Sequence, residues 1–77
     1  MEIRGIYYFP KSSKFLQSKA VVKQNFLLIV DNEGELIEKS EINEIIIDVS
    51  VQGIPNSIIF SSGALFSPTD SSFRWEF

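Results

Sequence analysis

Ser18-Lys19-Ala20-Val21-Val22-Lys23-Gln24-Asn25-Phe26-Leu27-Leu28-Ile29-Val30 is the stretch on which the fold turns. Val21-Val22 in the first half and Phe26, Ile29 and Val30 in the second favour strands, and Gln24-Asn25 separates the halves by the two residues a tight hairpin needs. Asn tolerates the positive φ of such turns, so the stretch predicts strands over 18–23 and 26–30. The second half is apolar at every position. That is the pattern of a strand covered on both faces, and it is expected to lie centrally in its sheet. Downstream, Asp31-Asn32-Glu33-Gly34 is the clearest turn in the chain. Residues 35–40 return from it as a short, acid-rich strand suited to an edge, where a partner's strand could add.

Working outward, residues 2–9 alternate well enough to form a first strand, closed by Pro10, which cannot donate to a ladder. Residues 11–17 read as a loop with a turn at Ser12-Ser13, pinned to the core by Phe15 and Leu16. In 44–50, Ile45, Ile47 and Val49 share one face opposite Ile46 and Asp48, as in a half-buried strand. A turn at 52–56, a strand at 57–61, the turn Ser62-Gly63 and a strand at 64–67 ended by Pro68 complete the set. In the tail, Asp70 can cap a helix whose Phe73 and Phe77 sit i,i+4 on one face. Phe73, Trp75 and Phe77 also alternate as a strand would, and the helix is favoured over it. The expected fold is all-β: about seven antiparallel strands in a small barrel or sandwich. A terminal helix plugging one open end would make the plan pleckstrin-homology-like.

The 77 residues hold one domain, with 44% hydrophobic and 13% aromatic residues to build its core. Histidine and cysteine are both missing, so a thiol nucleophile, a Ser-His-Asp triad or a histidine metal site has no side chain to use. No catalytic, cofactor-binding or metal-ligating residue is therefore expected in this segment. The acids around Asp31, Glu33 and Glu35 lack the spacing of a calcium loop and read as a hairpin turn. The serine pairs have no general base beside them and read as turn or cap residues. No glycine sits in a phosphate-cradling run. The N-terminus lacks the basic and apolar regions of a signal peptide, and the longest apolar run, 26–30, is strand-sized.

The net charge of −3 argues against nucleic acid as a partner, and Tyr7, Tyr8, Phe60 and Trp75 read as core residues before they read as a stacking platform. The charge is unevenly spread. Arg4, Lys11, Lys14, Lys19 and Lys23 face only Glu2 in the first third, whereas Asp31, Glu33, Glu35, Glu38, Glu41, Glu44 and Asp48 face only Lys39 in the next stretch. Solvent-facing strand positions explain this pattern. A dipolar surface that orients the domain against a partner or an anionic membrane is the sharper alternative, with Lys11, Lys14, Lys19 and Lys23 as the anion-facing binding surface.

Two segments carry a family resemblance. Gly5-Ile6-Tyr7-Tyr8-Phe9-Pro10-Lys11-Ser12-Ser13 resembles the opening Gly-x-Tyr/Trp-Tyr/Phe-Asp-Gly-x-Ser-Ser of a small domain at the N-terminus of bacterial HtpX-like and CAAX-prenyl-protease-like zinc metallopeptidases. Residues 53–66, Gly-Ile-Pro-Asn followed by an alternating strand and Ser-Ser-Gly-Ala-Leu-Phe, are similar to its later Gly-x-x-Pro and Asp-Gly-x-x-Phe pattern. Phe9-Pro10 replaces the usual Asp-Gly, Ser62 stands where an acid is common, and the Gly-to-Pro spacing is one residue short. The resemblance implies a non-catalytic accessory domain, with transmembrane helices and a zinc-binding His-Glu-x-x-His helix further along the parent polypeptide. It also implies a cytoplasmic or membrane-proximal location, with the piece soluble as a fragment, and a partner in the rest of the parent or another protein; the end at Phe77, inside an apparent amphipathic segment, suits a chain cut there. The alternative is an independent small barrel that binds a peptide, a ligand or an anionic lipid headgroup.

Overall fold

A computed structural model of the chain describes residues 1–48, 57–70, 73 and 75. Among these, β1 (Glu2–Tyr8), β2 (Phe15–Lys23), β3 (Phe26–Asp31), β4 (Leu36–Glu41), β5 (Ile46–Asp48), β6 (Ser57–Ile59) and β7 (Leu65–Pro68) form one antiparallel sheet. The strand order is β4-β3-β2-β1-β7-β6-β5. The N-terminal strand thus lies at the centre, and β4 is an edge as its acidic sequence suggests.

Chain connectivity forces the sheet to curl. Laid flat, seven strands at the usual spacing would hold the edges β4 and β5 about 29 Å apart. The chain from Glu41 to Ile46 can span only about 18 Å. It is shortened further by a 3-10 turn at Ile42–Glu44, whose Ile42 N–H donates to the Asn25 carbonyl at 2.8 Å. The two edges must therefore approach, and the sheet bends into a half-barrel with extents of 32 × 30 × 21 Å.

The concave side holds the core: Tyr7, Ala20, Leu27, Ile29, Ile58, Phe60, Ala64, Phe66 and Trp75. In β3, Leu27 and Ile29 are fully buried, while Phe26, Leu28 and Val30 are half-buried on the other face. The continuous apolar run is thus covered on one side only, because a curled single sheet has one inside. β3 also lies next to an edge, not at the centre.

Further local differences have physical reasons. β2 begins at Phe15, because 15–17 continue the ladder against β1. Phe15 points outward at 63% exposure with its ring tilted against that of Tyr8, so it does not pin a loop to the core. The shortened connection is closed by the Phe9 N–H donating to the Lys14 carbonyl at 3.1 Å. In the β2–β3 turn the positive φ, 57°, falls on Gln24 and not on Asn25. Primed hairpin turns require a left-handed first central residue whichever side chain stands there. The Asp31–Gly34 turn forms as read, with the Asp31 carboxylate accepting from the N–H of Glu33 and of Glu35, each at 2.9 Å.

The expected tail helix falls mostly outside the described residues, as do the turn at 52–56 and positions 49 and 50. Phe73 and Trp75, which are described, are not helical. The Phe73 N–H turns back to the Asp70 carbonyl at 3.1 Å, and Trp75 packs edge-on against Phe73 and Phe66. Trp75 is buried in the core here, and Phe73 packs against it. No helix among the described residues is long and apolar enough to cross a membrane.

Candidate functional site

The convex face carries a row of apolar side chains that cross-strand register alone assembles. Phe15 pairs with Tyr8, Tyr8 with Leu65, Leu65 with Ile59, and Ile59 with Ile46. Their neighbours Tyr7, Phe66, Ile58 and Ile47 point into the core, so by the two-residue period of a strand all five point out. Phe15 and Ile46 are each 63% exposed and Tyr8 40% exposed; Leu65 and Ile59 are half-buried. Lys11 and Lys14, both exposed, lie in the connection that joins Tyr8 to Phe15, and so border one end of the row.

Of the four lysines read as one binding surface, Lys11 and Lys14 lie in the β1–β2 connection and Lys19 and Lys23 on β2. Lys14 precedes the strand and Lys23 ends it, so nine residue steps hold the two about 30 Å apart. Lys19 lies between them on the outer face, 3.6 Å from the Glu2 carboxylate. Lys23 joins Phe26, Leu28 and Lys39 around a shallow depression, where the Lys39 ammonium sits 4.4 Å from the Phe26 ring centre.

A second cationic locus was not singled out from the sequence. Arg4 on β1 is the direct cross-strand partner of Lys19. The two flank an open groove of about 560 Å³, whose lining includes Ile6, Gln17, Asn32 and Thr69. Thr69 ties the end of β7 to this place, its N–H and its hydroxyl both donating to the Arg4 carbonyl, at 3.1 and 3.0 Å. Linear sequence separates Arg4 from Lys19 by a whole hairpin, and only the register joins them.

On the inner face, the Tyr7 hydroxyl donates to Glu38 Oε1 at 2.6 Å, and the Ser62 hydroxyl lies 3.3 Å from both Glu38 oxygens. Burial first, and then the bond to the carboxylate, push the Tyr7 hydroxyl far above its ordinary range. The trio links edge strand β4 to the central strand and to the β6–β7 turn, which is a structural task. Among the described residues no cluster of three or more Asp and Glu side chains could hold a metal ion. Compared with known proteins, the chain matches no family model, no curated protein and no solved structure.

Proposed function

We propose that this chain is a non-catalytic interaction module, the N-terminal accessory domain of a membrane-associated zinc-dependent metallopeptidase, which docks through its convex apolar row. In this reading the zinc and its His-Glu-x-x-His ligands belong to the parent polypeptide, and the module sits at the membrane-proximal face of its neighbouring domain. The pleckstrin-homology-like layout belongs to the same reading, supported by seven curled antiparallel strands and an aromatic tail.

The observation that carries docking is the row itself. Three of its five residues are large hydrophobics left open to water, in a continuous line across five strands. Rows of this kind mark contact surfaces, whereas scattered exposed apolar residues do not. The reading frame downstream of Phe77 is the first test: a His-Glu-x-x-His motif is expected, and a stop codon there sinks the parent assignment. The docking test uses single cysteines, since these 77 residues have none of their own. In the intact polypeptide, Phe15→Cys is expected to react with a thiol reagent far more slowly than Lys23→Cys, read by mass mapping of the labelled peptide. Equal rates would refute docking through the row.

The second reading, an independent small barrel that binds an anionic ligand, has the Arg4–Lys19 groove in its favour.

A further inference from the structure

We propose that the groove between Arg4 and Lys19 binds a small phosphate monoester. The starting point is an anomaly in the ladder. Arg4 and Lys19 are directly opposed on β1 and β2, an arrangement that destabilises an antiparallel pair by like-charge repulsion. Among the described residues Glu2 relieves Lys19 at 3.6 Å, but its side chain is 60% exposed and no ion pair engages Arg4. A bound anion removes the repulsion and converts the pair into a clamp.

The chemistry selects phosphate. Arg4 offers a planar fork of donors, permanently charged, which matches two oxygens of one phosphate; Lys19 adds a compact positive charge opposite. Gln17 and Asn32 bring neutral amide donors, and no carboxylate lines the groove. At about 560 Å³ the space lies within the range of small-ligand sites and exceeds what inorganic phosphate needs. Ile6 supplies an apolar wall for the organic part of an ester. No groove residue belongs to the docking row, so the two proposals stand or fall separately.

The test is an amide chemical-shift titration of the 77-residue chain with glycerol 3-phosphate, with glycerol as the uncharged control. Saturable shifts are expected at Arg4, Gln17, Lys19 and Asn32 with the ester and not with glycerol. Arg4→Gln and Lys19→Gln are each expected to weaken binding about tenfold or more, while Lys11→Gln and Lys23→Gln leave it within about twofold. Thermal unfolding supplies a second measurement. The ester raises the melting temperature of the unsubstituted 77-residue chain but not of Arg4→Gln, and Arg4→Gln without ligand melts no lower than the unsubstituted chain, because the repulsion is gone. Co-sedimentation with phosphatidylcholine vesicles, with and without phosphatidic acid, separates the sources of the phosphate. Gain on phosphatidic acid that Arg4→Gln abolishes identifies a lipid headgroup, and binding of the soluble ester alone identifies a free metabolite. Saturation with neither, or an equal loss in all four variants, overturns the proposal.

Discussion

Gly5 is the residue on which the centre of the sheet depends. A Cβ placed there would collide with the Ser67 carbonyl and with the Phe66 ring, which covers the glycine from the neighbouring strand. Gly5→Ala is expected to cost about 1–3 kcal/mol through overpacking, seen as a lower denaturant midpoint with an unchanged slope. Opposite it in the β1–β2 ladder, the buried Ser18 hydroxyl has no hydrogen-bond partner among the described residues. Ser18→Ala is expected to be neutral or stabilising by up to about 1 kcal/mol, since it removes an unsatisfied group. Tyr7 makes a prediction in pH. Below its ordinary value near 10 the hydroxyl is neutral in both folded and unfolded chains. Above that, the unfolded chain releases the proton while burial and Glu38 keep it on the folded one, so stability falls as pH rises. Tyr7→Phe should cost about 1–2 kcal/mol at neutral pH, and that deficit should shrink above pH 10 in paired unfolding curves.

At the scale of elements, the turns were legible because their chemistry is local. Asp31 closes its turn with two side-chain bonds to backbone N–H groups, and Gly34 takes the positive φ of 86°. Asp31→Ala is expected to destabilise by about 1–2 kcal/mol and to speed amide exchange at Glu33 and Glu35, whereas a uniform acceleration across the sheet would deny the carboxylate this local role. The start of β2 was not legible. Phe15, Leu16 and Gln17 have no alternation strong enough to mark a strand, and they become one because β1 offers them unpaired backbone up to Tyr8. The same extension turns Phe15 from an expected core anchor into an exposed end of the docking row. In the β2–β3 turn the local preference was right about place and length, and the twist of the flanking strands chose Gln24 for the left-handed conformation.

The whole molecule is held by a core that its tail completes. Trp75 is 8% exposed and lies against Phe66, the largest fully buried side chain among the described residues. Trp75→Ala is expected to cost about 3–5 kcal/mol. In the unsubstituted 77-residue chain, the fluorescence of its single tryptophan should shift to longer wavelength at the same midpoint as the loss of far-ultraviolet ellipticity; separate midpoints would mean that the tail is not part of the cooperative unit. The sequence by itself determined the all-β class, the antiparallel strands, most of their turns and the acidic edge, because period-two alternation and turn chemistry act over a few residues. It also determined that no histidine or cysteine chemistry resides in this segment. The tertiary structure alone decided that β1 is central and that β3 is covered on one face. It likewise assembled the row from Phe15 to Ile46 and set Arg4 against Lys19. These depend on register and on the closure of a short connection across a curled sheet, which bring together residues far apart in the chain and leave no mark on any local pattern.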